Sequence, residues 1–140
     1  MFDQEVFIFN RAYSEVTPDF SIPVHSMLLN RISYLFYRLA IPLKNELIAK
    51  SILHIYRKKN LDVIHSHTWF SGGGAALLIN KRKNINYIVT VRNSDIHSVW
   101  KYYPWFRDYG IEILLKASKI ICPTPVIKKK ILKMVNSNVN

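Results

Sequence analysis

Residues 62–74 read DVIHSHTWFSGGG, so a short apolar segment stands directly before three consecutive glycines. Asp62 to His65 has the composition of a β-strand, and Ala75 to Lys83 has that of a helix. Because glycine lacks a Cβ atom, Gly72–Gly74 permit backbone conformations or close approaches that other residues forbid. The order of strand, glycine turn and helix predicts the first half of a parallel βαβ unit.

The same alternation of short apolar runs and one-sided helical patterns continues along the chain. The predicted strands are Glu5–Phe9, Tyr87–Val91 and Lys119–Cys122, and the predicted helices are Met27–Tyr37, Leu43 to Asn60, Trp105–Ser118 and Val126–Val135. This order indicates an α/β fold: a Rossmann-like parallel sheet with helices on both faces. We assign residues 1–135 to one such domain, with residues 1–61 matching in outline only, and residues 136–140 to a frayed tail. The strands Val63–Ile64 and Ile88–Val91 carry apolar residues on both sides, which predicts burial on both faces of the sheet.

The composition limits the class of protein. The chain has 140 residues, enough for one compact domain, and 49% of them are hydrophobic, which excludes an intrinsically disordered chain. Cys122 is the only cysteine, so an internal disulfide is excluded and a reducing compartment fits. No run reaches about 18 apolar residues and the start lacks a signal-peptide pattern, so we expect a cytoplasmic protein. The net charge of +11 predicts an anionic partner: nucleic acid, acidic lipid headgroups or a phosphorylated small molecule.

The glycine turn has two interpretations. It follows a parallel strand and begins a helix, where unpaired N–H groups attract anions, so Ser71 and Gly72–Gly74 are candidate contacts for a phosphate or a sugar hydroxyl. Alternatively, it is a tight connection in which Ser71 caps the helix. The phosphate-loop motif has no match here. The dinucleotide motif Gly-x-Gly-x-x-Gly has Leu77 in place of its third glycine, although Asp95 lies near the expected ribose-binding acid.

Two histidines occupy the end of the same strand. His65 and His67 are two residues apart, so their side chains face the same way on an extended backbone. A metal site needs more ligands, and only His25 and His97 suggest themselves, so we predict no metal. His67 is a candidate general base or hydrogen-bond donor to a sugar or phosphate, whereas His65 fits the edge of the core.

Polar side chains also follow the next two strands. The sequence TVRNSD supplies Arg92, Asn93 and Asp95; Arg92 suits a phosphate or carboxylate, and Asp95 can orient a hydroxyl or accept a proton. The alternative is a capped turn that Asp95 begins and in which it pairs with Arg92. The next strand ends in CPTP, where Thr124 suits an N-cap. Three polar strand ends at one sheet edge predict a binding cleft.

Basic residues form three runs, at Arg57–Lys59, at Lys81–Lys83, and at Lys128–Lys130 with Lys133. The first two suit helix C-termini, which favour cations, but the third lies near a helix start. Together with the apolar segment Met27–Tyr37, the third run predicts contact with an anionic membrane surface. Packing of Met27–Tyr37 on the sheet is the competing explanation.

The three strand ends together resemble a known family. In this order and spacing, DVIHSHTWFSGGGAALLI, INYIVTVRNSDIH and ASKIICPTP resemble the N-terminal domain of a family 4 glycosyltransferase of the two-domain GT-B type. Members show Asp-Val-Ile-His-x-His, a glycine at the next helix start, and a strand ending in Thr-Val-His or Thr-Val-Arg-Asn. The resemblance covers about Asp62 to Lys133.

The resemblance implies transfer of a sugar from a nucleotide-sugar co-substrate to an acceptor hydroxyl, with no metal or other cofactor. The Thr-Val-Arg-Asn form is common in enzymes of capsule and lipopolysaccharide assembly, which implies a polysaccharide or lipid-linked acceptor. In the family the N-terminal domain mainly binds the acceptor and the C-terminal domain binds the donor. By position, the resemblance implies catalytic roles for His67, Arg92 and Asp95, and substrate-binding roles for Ser71, Gly72, Gly73, Gly74, Asn93 and Thr124.

The chain departs from the family pattern in three ways. Residues 1–61 contain no glycine, so the usual opening strand with its glycine-rich loop is missing or replaced. We find no donor-binding second domain in the sequence, so we expect the chain alone to be inactive, as a truncated product, a fragment or one subunit of a split enzyme. Arg92 stands where many members have histidine, which changes the acid–base or positioning role there.

Two rival functions rest on other features. The charge of +11 favours a nucleic-acid-binding module, although no recognised DNA or RNA motif is present and the lysines are spread over several elements. The partial glycine motif favours a dinucleotide-binding module. Salt-dependent binding to nucleic acid and a titration with NAD separate these two from a glycosyltransferase.

Overall fold

The computed structural model describes residues 4–11, 22–29 and 40–137, and strands alternate with helices along most of this part. The strands and helices are β1 Val6–Arg11, β2 Val24–Leu29, α1 Ile41–Ile55, β3 Val63–Ser66, α2 Gly74–Lys83, β4 Asn86–Thr90, α3 Arg107–Lys116, β5 Lys119–Ile121 and α4 Pro125–Asn136. A π-helical turn follows β3 at Trp69–Gly73, a second follows β4 at Asp95–Trp100, and a 3-10 turn at Pro104–Phe106 precedes α3. Most elements lie within a few residues of their predicted positions.

All observed strand pairs are parallel. β1 pairs with β2, and β3, β4 and β5 form a second sheet in that order, with Ser66 opposite Val89 and Thr90 opposite Ile121. The parallel, Rossmann-like α/β class predicted from the sequence is confirmed. The strands form two small sheets rather than one, and β1 is connected to the rest through side chains: Phe7 packs on a cluster of Ile48, Ala49, Ala75 and Ile79.

One predicted helix is wrong over its first residues. Met27, Leu28 and Leu29 belong to β2, whose backbone pairs in register with β1, and the remainder of the predicted Met27–Tyr37 helix lies outside the described residues. The apolar composition of this segment suits a buried strand as well as a helix, and pairing with β1 decides between them. The following helix begins at Ile41, and Pro42 lies in its first turn, where a missing N–H is tolerated.

The main core lies against one face of the β3–β4–β5 sheet. Tyr87, Val89 and Ile64 point into it, packed against side chains of α2, α3 and α4 that include Leu77, Ile113 and Ile131. The alternate residues face the other way, and Val63 is 52% exposed and Ile121 39% exposed. The expectation that the Val63–Ile64 strand is buried on both faces is therefore wrong at Val63. No helix in the described ranges is long and apolar enough to cross a membrane.

Candidate functional site

A single carboxylate holds together the turns that follow β3 and β4. The backbone N–H of Trp69 donates to Asp95 Oδ2 at 3.2 Å, and the backbone N–H of Arg92 donates to the same oxygen at 2.8 Å. Parallel pairing already brings the carboxyl ends of β3 and β4 to one edge. The structure thus brings the two polar strand ends predicted from the sequence into one continuous rim.

Asp95 is an interior group of this rim. The residue is 7% exposed and is the first residue of the π-helical turn, and its own N–H donates to Arg92 O at 3.1 Å. Burial raises the pKa of the Asp95 carboxyl above its ordinary value of 3.8, while the backbone N–H groups of Arg92 and Trp69 oppose the rise. The capped-turn interpretation of Asp95 describes these contacts, with the pairing made to the backbone of Arg92.

Thr68 organises the glycine turn. The Gly72 N–H donates to Thr68 Oγ1 at 2.9 Å, and the Gly73 N–H donates to the Thr68 carbonyl at 2.9 Å. The N–H of Gly74 donates to the Ser71 carbonyl. The capping residue is therefore Thr68, and the alternative that assigned this role to Ser71 is wrong. The amides of all three glycines have partners within the turn, so they are not the free donors of an open anion site.

The three glycines have a packing reason. None has a positive φ, so left-handed backbone does not explain them. A Cβ on Gly72 would overlap Ser66 Oγ, and one on Gly73 would lie 3.0 Å from Ile113 Cγ2. A Cβ on Gly74 would overlap the Asn45 amide and lie 2.5 Å from the Tyr109 hydroxyl. Close approach of the turn to the core therefore accounts for glycine at each position.

A buried amide supports the turn from below. Asn45, which is fully buried, donates from Nδ2 to the Phe70 carbonyl at 2.8 Å and to the Tyr109 hydroxyl at 3.1 Å. Burial raises the pKa of Tyr109 above its ordinary value of 10.0. Sequence reasoning missed this contact, although an asparagine on the apolar side of α1 was a usable signal.

The exposed groups of the rim are those that a ligand can reach. His67, Arg92 and Asn93 are exposed, and Ser71 and Gly72 are partly exposed, whereas Gly73 and Gly74 are buried. Of the predicted site residues on the first two strand ends, the structure therefore presents the polar side chains and encloses Asp95 and two of the glycines.

The two histidines share one side of the sheet, as their spacing predicts. Their ring centroids are 4.3 Å apart, and His65 Nε2 lies 2.9 Å from Thr90 Oγ1. Partial burial, and secondarily the nearby His67, lower the pKa of His65, which favours its neutral form. Both residues are exposed and neither packs on the main core, so the prediction that His65 fits the edge of the core is wrong.

Thr124 lies beyond β5. Its Oγ1 accepts a hydrogen bond from the Ile127 N–H at 3.3 Å, which makes it the N-cap of α4 as predicted. The side chain is exposed, and β5 pairs with β4, so it belongs to the same sheet edge. Among residues 4–11, 22–29 and 40–137, no group of three or more His, Cys, Asp or Glu side chains is arranged to hold a metal ion.

An aromatic segment beside the rim was missed by the sequence reading. Tyr102 and Trp105 are 62% and 63% exposed, and they belong to the run WKYYPWFR at residues 100–107. Trp100 stacks on the buried Trp69 of the glycine turn with ring centroids 5.4 Å apart. The density of aromatic residues around Pro104 was the available signal.

Comparison with known families supplies one match. Residues 4–138 match the family model described as Glycosyltransferase Family 4, so the match extends over nearly the whole chain. It confirms the resemblance inferred from the three strand ends and extends it over the residues that precede Asp62. No curated protein matches this sequence.

Proposed function

We propose an acceptor-side role for this chain, which belongs to glycosyltransferase family 4. In this proposal it contributes to transfer of a sugar from a nucleotide-sugar donor to a hydroxyl of a polysaccharide or lipid-linked acceptor. The observation that carries the proposal is the shared Asp95 oxygen, which fixes the exposed His67 and Arg92 turns to each other. A site assembled from two strand ends needs such fixed spacing, because small displacements of catalytic groups reduce rates strongly.

The role proposed for each residue depends on whether its side chain is exposed or buried. Arg92 is exposed and always charged, so it suits a phosphate or a developing negative charge, and Asn93 beside it offers hydrogen bonds to sugar hydroxyls. His67 is the proposed acid–base or hydrogen-bonding group on the neighbouring strand end. Asp95 is proposed to act by positioning both turns, since its bonded oxygen faces backbone amides.

The remaining residues contribute at the margin of the site. Ser71 and Gly72 are partly exposed and are proposed to contact the substrate, and Thr124 is proposed to contact it from the end of β5. Gly73 and Gly74 are buried, so their proposed contribution is the shape of the turn rather than direct contact.

Transfer from a nucleotide sugar builds negative charge on the leaving diphosphate, and fixed cations near that charge stabilise the transition state. Arg92 is the candidate on this chain, and a donor-binding domain would supply the rest of the site. We propose that such a domain, on this polypeptide or on another, completes the enzyme. A lipid-linked acceptor would place the assembly on the cytoplasmic face of a membrane.

The test is turnover by the assembled enzyme that carries Arg92→Ala. Removal of one stabilising charge lowers kcat by about 100-fold or more, and Arg92→Lys recovers part of it because the charge returns without the planar fork. Arg57→Ala, which removes an exposed arginine outside the rim, is the matched control and keeps full turnover. Unchanged turnover in Arg92→Ala removes Arg92 from the site.

A further inference from the structure

We propose that the aromatic segment, residues 100–107, is an interfacial anchor that seats the protein on an anionic lipid bilayer. The anchor consists of Tyr102 and Trp105 as inserted side chains and Lys101 and Arg107 as headgroup contacts. Its biological purpose rests on the proposed function, because a lipid-linked acceptor is presented at a bilayer surface. The binding itself requires neither donor nor turnover.

The exposed rings are held in place by the fold. Trp100 stacks on Trp69, which is fully buried and whose indole N–H donates to the Gly110 carbonyl at 2.9 Å. Tyr103 packs against Trp105 with ring centroids 5.5 Å apart, in an edge-to-face arrangement. The N–H of Phe106 donates to the Tyr103 carbonyl at 3.0 Å. The aromatic surface is therefore a built feature, and its two outermost rings are turned to solvent.

Cations lie directly on these rings. Lys101 Nζ is 5.2 Å from the centroid of the Tyr102 ring, and the Arg107 guanidinium is 5.3 Å from that of Trp100. Tyrosine and tryptophan concentrate at the headgroup level of membranes, and lysine and arginine beside them contact anionic lipid. Asp108 is the acidic neighbour on this surface, and the chain as a whole carries +11, so attraction to an anionic surface prevails.

The same contacts disfavour other occupants. A glycan or a nucleic-acid base stacks on an open ring face, and Lys101 occupies that position on Tyr102, one of the two outermost rings, as Arg107 does on Trp100. A second copy of this chain carries the same high positive charge and is repelled. A bilayer accepts ring edges and cations together, which is the chemistry that residues 100–107 present.

The anchor is adjacent to the candidate site. Residues 95–100 form the π-helical turn that begins at Asp95, so the anchor continues directly from the rim that carries Arg92. Trp69 connects it to the glycine turn as well, through the stack with Trp100. A headgroup held at Trp105 would therefore lie beside the rim.

The test is co-sedimentation with phosphatidylcholine vesicles that contain or lack phosphatidylglycerol. The wild-type chain binds the anionic vesicles, and the double variant Tyr102→Ala, Trp105→Ala binds at least about tenfold more weakly, because it lacks the two aromatic side chains that insert into the bilayer. Lys101→Gln weakens binding by about fivefold. Leu43→Ala, which removes an exposed apolar side chain on α1, is the matched control and binds normally. Equal binding to neutral vesicles, or undiminished binding by the double variant, overturns the proposal.

Tryptophan fluorescence gives a second readout. Trp69 is buried and Trp105 is exposed, so insertion shifts the Trp105 emission to shorter wavelength, and Trp105→Phe abolishes most of the shift while it retains binding. An unshifted spectrum in bound protein overturns the anchor. If the protein binds vesicles but the assembled enzyme is inactive, only the transferase proposal is rejected. If the double variant still binds vesicles but no longer binds an oligosaccharide or no longer dimerises, only the anchor is rejected.

Discussion

The turns that follow β3 and β4 sit side by side and are built in opposite ways. The first, Thr68–Gly73, is rich in glycine and directs its amides inward to Thr68 and Asp95. The second begins with Arg92, Asn93 and Ser94, all exposed, and is fastened by one buried carboxylate. The glycine-rich turn therefore serves the packing of the domain. Reactive polar side chains are offered mainly by the turn without glycine and by His67, which precedes the other.

The largest effect is expected where the two turns join. Asp95→Ala leaves the N–H groups of Trp69 and Arg92 without their acceptor in a largely buried position, which lowers the free energy of unfolding by about 2–4 kcal/mol. Urea denaturation measures this loss. Asp95→Asn, which keeps one acceptor oxygen, loses less, and equal losses in the two variants would show that the shared bond is unimportant.

Within the glycine turn, alanine substitutions at neighbouring positions should differ in how much they lower the free energy of unfolding. Gly74→Ala forces a methyl group onto the bonded Asn45 amide and lowers the free energy of unfolding by about 2–3 kcal/mol. Gly73→Ala meets methyl groups of Ile113 and Val89 at 3.0 and 3.3 Å and the Thr68 carbonyl at 3.2 Å, which are tight contacts but not the overlaps found at Gly74, so we expect a smaller loss of about 1 kcal/mol. Thermal unfolding of the pair measures the difference, and a reversed order contradicts the packing explanation.

The capping residue gives a smaller and more specific effect. Thr68→Val removes the oxygen that accepts the Gly72 N–H and costs about 1 kcal/mol. Ser71→Ala is the matched hydroxyl deletion in the same turn, and we expect it to change stability by less than about 0.5 kcal/mol. Denaturant titration of both variants measures the two losses in free energy of unfolding. A greater loss for Ser71→Ala would show that Ser71, and not Thr68, is the capping residue.

The smallest effect concerns pH. Because burial raises the pKa of Asp95, the folded state holds its proton more tightly than the unfolded state, so this group adds stability as the pH falls toward 3.8. The difference in free energy of unfolding between wild type and Asp95→Asn should therefore shift in favour of wild type as pH falls from neutral through the raised pKa. A shift in the other direction would mean that the N–H bonds outweigh burial.

The sequence predicted the parallel α/β order because periodicity and composition act locally. Strands such as Asn86–Thr90 and helices such as Pro125–Asn136 have unambiguous patterns, and Thr124 was identified as a cap from its position alone. Met27–Leu29 was misassigned because an apolar run fits a helix or a strand until its partner is known. The exposure of Val63 likewise depends on what covers the sheet, which one strand does not encode.

The site was predicted in its location and only partly in its contacts. Parallel strands deliver their carboxyl ends to one edge, so the proximity of His67, Arg92 and Asp95 along the sheet followed from topology. The burial of Asp95 did not follow, since it depends on the Trp69 amide from another element. Asn45 bonds to Phe70, which lies 25 positions away in the chain, and to Tyr109, which lies 64 positions away. No local sequence pattern indicates contacts over such separations.

The oxygen atom that Trp69 and Arg92 share also has a dynamic consequence. Neither amide can open to solvent without loosening the other's acceptor, so their deuterium uptake should be slow and should rise in concert. A ligand that binds and stabilises one strand end would then slow hydrogen exchange at the other, although it contacts only one of them. In this way a single carboxylate makes two separate segments of the chain open cooperatively.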